Sequence, residues 1–144
     1  MRYLVDTDVL SETTKRSPDP GVVEWLRDHE EEIAVNPVIL GGIRFGIRSL
    51  GPGRSRDSLE LWFTEVVRRI RCVPIDTRTG LRWAELLAGL RSRGRSMPIK
   101  DSLIAATALA FGLVVVTRNR RDFEAAGVEI VDPFTWGPRR PTGQ

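Results

Sequence analysis

Four acidic side chains stand where an open α/β sheet would do chemistry. Asp6 and Asp8 close a short apolar run in Tyr3-Leu4-Val5-Asp6-Thr7-Asp8. Asp101 opens a long apolar stretch after Pro98-Ile99-Lys100, and Asp122 comes shortly after Thr117-Arg118-Asn119 at the end of another apolar run. Ligands of parallel α/β sheets bind beyond the carboxyl ends of the strands, and the usual strand order brings the first and fourth runs side by side. Each acid has an ordinary use too: Asp6 or Asp8 as a helix cap, Asp101 as a first-turn acid favoured by the helix dipole, Asp122 in a surface ion pair. Gathered in one crevice they repel. Two carboxylates about 4 Å apart cost roughly 4 kcal/mol at an effective dielectric near 20. A divalent cation removes that cost, and an all-oxygen donor set selects Mg²⁺ or Mn²⁺ over zinc. Such an ion lowers the pKa of a bound water and steadies charge on a phosphate, the two needs of phosphodiester hydrolysis.

Other chemistries lack their residues. Cys72 is the single cysteine, so no internal disulfide forms and a reducing compartment is expected. In the run Cys72-Val73-Pro74-Ile75 it reads as a core residue. His29 is the single histidine, which leaves a zinc site or a Cys–His pair without support. Leu4 to Leu10 contains no glycine-rich phosphate loop, against a dinucleotide-binding fold. The formal charge is +3, and Lys15 and Lys100 are the only lysines among 22 basic residues, the rest being arginine. That balance suits a nucleic-acid partner as well as it suits a solvated surface. Asp6 interrupts the N-terminal apolar run and no stretch approaches a membrane span, so a cytoplasmic location is expected.

The elements that must position these acids show in the apolar pattern. Strands are expected at Tyr3–Val5, Ile33–Val35, Cys72–Ile75, Leu113–Val116 and Val128–Val131. Four of these are near-continuous Val, Ile and Leu, as in parallel strands covered on both faces. Asp19-Pro20 and Asn36-Pro37 each pair a capping side chain with proline at the first helical position. Ser58 to Ile70 places Leu59, Trp62, Phe63, Val66, Val67 and Ile70 on one helical face. Thr77 to Arg91 does so with Leu81, Ala84, Leu87 and Leu90. Ile99 to Phe111 is apolar nearly all round, hence buried, and Gly112 ends it. Strand–helix alternation of this kind predicts an α/β three-layer sandwich, a mainly parallel sheet of about five strands flanked by helices. One domain over 1–136 and a flexible basic tail over 137–144 complete the expected organisation. Trp25, Trp62, Trp83 and Trp136 read as core or interface residues.

Taken in order, four segments resemble the VapC-type PIN-domain toxins. They are Tyr3 to Glu12, Val38-Ile39-Leu40-Gly41-Gly42-Ile43-Arg44-Phe45-Gly46-Ile47, Pro98 to Ala108, and Thr117 to Phe123 followed by Val131-Asp132-Pro133-Phe134. The resemblance spans residues 2 to about 136. It implies a Mg²⁺-dependent endoribonuclease of a toxin–antitoxin pair, acting as a homodimer and held in check by a VapB-type antitoxin. It also implies Asp6 and Asp101 as metal-binding acids. Asn119 falls where some relatives carry a further acid, with Asp122 as a nearby substitute. Thr7, Ser11 and Thr117 would orient a carboxylate or water. Arg44, Arg48, Lys100, Arg118, Arg120 and Arg121 would grip RNA phosphates, Arg44 alternatively an acidic antitoxin group.

One departure stands out. The family pattern places a glutamate where this chain has Gly42. Gly41 and Gly42 stand together in a helix, where each glycine costs roughly 1 kcal/mol against alanine. The resemblance therefore implies attenuated cleavage, or a PIN fold that keeps only antitoxin or RNA binding. A phosphoacceptor receiver is the other rival, with Asp76 at the end of the third strand as acceptor.

Overall fold

A computed structural model of the chain describes residues 1–135; Trp136 and the tail expected over 137–144 lie outside the described residues. In chain order the elements are β1 (Tyr3–Val5), α1 (Thr7–Glu12), α2 (Pro20–Asp28), β2 (Ile33–Val35), α3 (Pro37–Arg48), α4 (Arg54–Arg69), β3 (Arg71–Cys72), α5 (Thr77–Ser92), α6 (Ile99–Phe111), β4 (Val114–Val116), α7 (Arg120–Phe123) and β5 (Ile130–Val131). The five strands form one parallel sheet in the order β3-β2-β1-β4-β5. β1 lies at its centre with Leu4 beside Val115 and Val5 beside Val116. Leu4, Val5, Ala34, Val35, Val115 and Val116 are all fully buried, as strands with helices on both faces require. No described helix is long and apolar enough to cross a membrane.

The order rejects the receiver reading. A receiver sheet runs 2-1-3-4-5, with its third strand next to the first. Here β3 is an edge strand separated from β1 by β2. Asp76 is spent on capping α5, accepting from the Thr79 N–H at 3.1 Å and the Thr79 hydroxyl at 3.2 Å.

Three local expectations are corrected. β3 has only two residues, and Cys72 is exposed, because Val73 beyond the strand takes the buried position. On α5 the buried face is Thr79, Leu86 and Leu90, with Leu81 64% exposed. Two apolar stripes compete on that helix, and polar pairing sets the phase: Trp83 donates its indole N–H to Ser102 on α6 at 2.9 Å. On α4 only Phe63 is buried, while Leu61 and Val67 face solvent and Trp62 and Val66 are half-buried.

Asn36 carries much of the frame. Its Oδ1 accepts from the Ile39 N–H at 2.9 Å and caps α3; its Nδ2 donates to Thr107 Oγ1 on α6 at 3.0 Å. Both side chains are wholly buried. Asn36→Ala removes a cap and strands a buried acceptor, so a loss of about 2 kcal/mol is expected. At this chain length that is a fall in Tm of about 6 °C, read by thermal melting. An unchanged Tm would remove Asn36 from this role.

Candidate active site

β1 and β4 end side by side, and the chain leaves each through a polar residue turned to the same crevice. Asp6 follows β1 and caps α1, its Oδ1 accepting from the Thr7 N–H at 2.7 Å. Its Oδ2 accepts from the hydroxyl of Thr117, the residue after β4, at 2.8 Å. The Thr117 oxygen in turn accepts from the Asn119 N–H at 3.0 Å. Asp6 is 5% exposed and Thr117 is fully buried, so this pair is a fixed joint between the two central strands. The first turn of α6 brings Asp101 to the same place.

Electrostatics reveal the convergence. Burial and the negative charge of Asp6, then that of Asp122, push the Asp101 carboxyl up to about 6, against a smaller opposing pull from Lys100. Burial and Asp6 push Asp8 up to about 6 as well, although N–H groups of Arg118 and Val9 and the Arg118 charge pull it down. Asp8 Oδ1 is buried with no hydrogen-bond partner. No described cation lies within ion-pairing distance of Asp6, Asp8, Asp101 or Asp122. These acids share a field that nothing within contact neutralises.

Asp8 is one of the strand-end acids singled out from the sequence, with a helix cap as its ordinary alternative; in the fold that cap is Asp6, and Asp8 is left free to join the site. The signal is two acids one residue apart at a strand end, and capping explains one such acid without any site. Asn119 and Asp122 are exposed at the start of α7; Asn119 makes no side-chain cap bond. Thr7 and Ser11 line a cleft of about 170 Å³ with Gly42, Ile43, Gly46 and Trp62, between α1, α3 and α4. The Thr7 hydroxyl is buried there without a partner.

The basic residues divide. Arg44 and Arg48 both reach Glu60 on α4, at 3.6 and 3.4 Å, and so tie α3 to α4. Arg118 lies 3.8 Å from the centre of the Phe134 ring, and Arg120 reaches the Ile130 carbonyl at 3.5 Å. Arg121 is exposed. Lys100 turns back toward α3: a Cβ added at Gly42 would lie 2.8 Å from its Nζ and 3.1 Å from its Cε. A larger groove, about 680 Å³, lies elsewhere, lined by Met1, Leu10, Ile33, Trp62, Val66 and Ile70. It contains none of the converging acids.

The donor set suits a sparsely ligated hard cation. Among the described residues no three acidic, histidine or cysteine side chains converge as a full metal cage. Mg²⁺ keeps most of its waters and takes one or two carboxylates, so a cage is not required. The unneutralised repulsion around Asp6 and the orphaned Asp8 oxygen are what such an ion would relieve. Asp6 and Asp101 would hold it, and Thr117 would fix the orientation of Asp6. Thr117→Val removes that orienting hydroxyl at nearly constant volume. A drop in Mn²⁺ affinity of about 10- to 100-fold is expected, with the fold intact by circular dichroism. Equal affinity in the two proteins would leave Thr117 a purely structural strap.

A parallel sheet of this order, with acids at the end of its central strand β1 and a further acid brought beside them by α6, defines an α/β protein with an acidic crevice at the switch point. The family model described as PIN domain matches residues 3–129. The chain is 32% identical to VapC ribonuclease Y4jK of Sinorhizobium fredii over 94% of its length and 98% of the relative's. The crystal structure of FitAcB from Neisseria gonorrhoeae superposes with a TM-score of 0.83 at 27% identity, over 93% of this chain and 99% of that one. A member of the VapBC family of toxin–antitoxin systems from Mycobacterium tuberculosis superposes with a TM-score of 0.61 at 31% identity, over 69% and 80%. The chain belongs to the PIN domain family and, within it, to the VapC-type toxins.

Proposed function

We propose that this protein is a Mg²⁺-dependent endoribonuclease toxin, paired with a VapB-type antitoxin, in which Asp6, Asp8 and Asp101 form the working acids. The observation that supports this most is the shared field of Asp6, Asp8 and Asp101, brought together from β1 and α6 with no cation in contact. A relative named a ribonuclease and a solved relative described as a toxin–antitoxin system favour the same reading. When bound, the ion supplies an acidified water and neutralises charge on a phosphodiester. The protein's own groups do the rest. Thr117 holds one Asp6 oxygen, the Thr7 N–H holds the other, and the exposed Arg118, Arg120 and Arg121 offer phosphate contacts beside the acids. Mn²⁺ would serve in the same place.

The bare backbone at Gly42 favours a second reading, a PIN fold with little or no hydrolysis that still binds antitoxin or RNA. The partly exposed apolar face of α4, with Trp62 and Val66 on the larger groove, is the natural surface for a protein partner or a second copy. One experiment separates the two readings. Purified protein is incubated with total RNA in Mg²⁺ or EDTA and new ends are mapped. Metal-dependent cuts support the enzyme; none from folded, antitoxin-free protein supports the binding protein.

A further inference from the structure

We propose that Lys100 is the built-in cation of this site: seated over the bare backbone of Gly42, its ammonium grips an RNA phosphate where the family pattern carries a carboxylate. This rests on the RNA-directed reading above and deepens it.

Five observations converge. Lys100 sits on the first turn of α6, one residue from Asp101, and its side chain folds back across Gly42 on α3. A Cβ at that position would meet Nζ at 2.8 Å, so glycine is what lets the flexible end of the lysine chain lie directly against the α3 backbone, and a side chain there would move it aside. The ammonium makes no ion pair among the described residues, whereas the other lysine, Lys15, is paired with Glu12 at 2.9 Å. The α3 cations nearby, Arg44 and Arg48, are engaged with Glu60. The Thr7 hydroxyl, buried without a partner, lies 3.3 Å from the same Cβ point. An unpaired ammonium and an unpaired hydroxyl at one spot offer donors to an anion, and the anion an acidic crevice beside them handles in this reading is a phosphodiester. Gly42 and Lys100 thus act as a pair that reverses the sign of one corner of the site. A glutamate introduced at position 42 would start beside the Lys100 ammonium, so Gly42→Glu alone is expected to pair with that ammonium rather than supply an acid to the metal.

The test measures binding first. A short 2′-O-methylated RNA, which has no cleavable 2′-hydroxyl, is titrated in EDTA by fluorescence anisotropy at several salt concentrations. Lys100→Met is expected to weaken binding about five- to tenfold and to lower the salt slope by about 0.7, the share of one single-strand phosphate contact. Lys100→Arg is expected to recover most of it. Arg68→Met, which removes a surface charge paired with Glu65, should stay within about twofold of the parent. The second arm reads Mn²⁺ affinity by electron paramagnetic resonance. Gly42→Glu should stay within about twofold of the parent, and Gly42→Glu with Lys100→Ala should bind at least about tenfold tighter. Parent-like RNA binding and slope in Lys100→Met, absence of RNA binding by the parent, or a tenfold gain from Gly42→Glu alone would each overturn the proposal. Absence of Mg²⁺-dependent cleavage alongside an intact Lys100 effect would sink the ribonuclease reading and leave the phosphate grip standing.

Discussion

Asp6→Asn is expected to cut Mg²⁺-dependent RNA cleavage by at least about a hundredfold while leaving a folded protein. Altering a group that merely orients a metal ligand costs about 10- to 100-fold, and Asp6 stands one step closer to the ion. Both Asp6 oxygens are already oriented, by the Thr7 N–H and by Thr117. An asparagine Oδ1 can keep either bond, so the α1 cap or the strap to β4 survives. The neutral side chain loses the charge that draws a cation. It also removes the repulsion that raises Asp8 and Asp101, which offsets part of any lost hydrogen bond. Asp6→Ala is the harsher control: it deletes the cap, worth about 1 kcal/mol, and leaves the buried Thr117 hydroxyl without its acceptor. Mapped RNA ends in Mg²⁺ and EDTA, beside melting curves, check both. Wild-type cleavage by folded Asp6→Asn would take the metal away from this acid.

The second large effect is on stability against pH in metal-free protein. Asp8 and Asp101 titrate near 6 in the fold and near 3.8 when unfolded. Between those values the folded chain binds more protons than the unfolded one, so their contribution to stability is whole below pH about 4 and is lost as pH rises through about 6. Two pKa units correspond to about 3 kcal/mol per group. Both side chains are partly exposed, and solvent screening reduces this to about 1–2 kcal/mol each. Asp8→Asn in EDTA should therefore raise Tm by about 3–6 °C at pH 7.5 and hardly at all at pH 4. The comparison within one pH isolates Asp8 from Glu12 and Asp76, whose carboxyls are held below their ordinary values and lose their contribution only in stronger acid. Mg²⁺ should raise the parent's Tm at pH 7.5 through the same acids. A parent and an Asp8→Asn variant with equal Tm at pH 7.5 would show that the crowding of these carboxylates stores no energy.

Much of this molecule is written in local chemistry. Strands buried on both faces need unbroken runs such as Tyr3–Val5 and Val114–Val116, and those runs stand in the chain as strands. Asp19-Pro20 and Asn36-Pro37 open helices because capping and a fixed φ act over three residues, and both start where that chemistry places them. From that alternation, strand-end carboxylates and an acidic crevice between the first and fourth strands could be reasoned out. The family followed from the order of the motifs.

What needed three dimensions is whatever depends on which of two similar options the neighbours take. The phase of α5 was ambiguous until Trp83 found Ser102, a residue nineteen positions away. Cys72 looked like core because sequence cannot tell an edge strand from a central one. Either Asp6 or Asp8 could cap α1 by sequence; the fold gives the cap to Asp6 and leaves Asp8 with an orphaned oxygen in the field of Asp6. Gly42 read only as a missing acid. Its neighbour Lys100 is 58 positions away in sequence, and only the packing of α3 against α6 lays that ammonium where a side chain would have been. Propensity and capping act between adjacent residues, so the sequence alone determines the elements and the acids at their ends. Charges and close contacts act through space, so the sign of each corner of the site is decided by the fold.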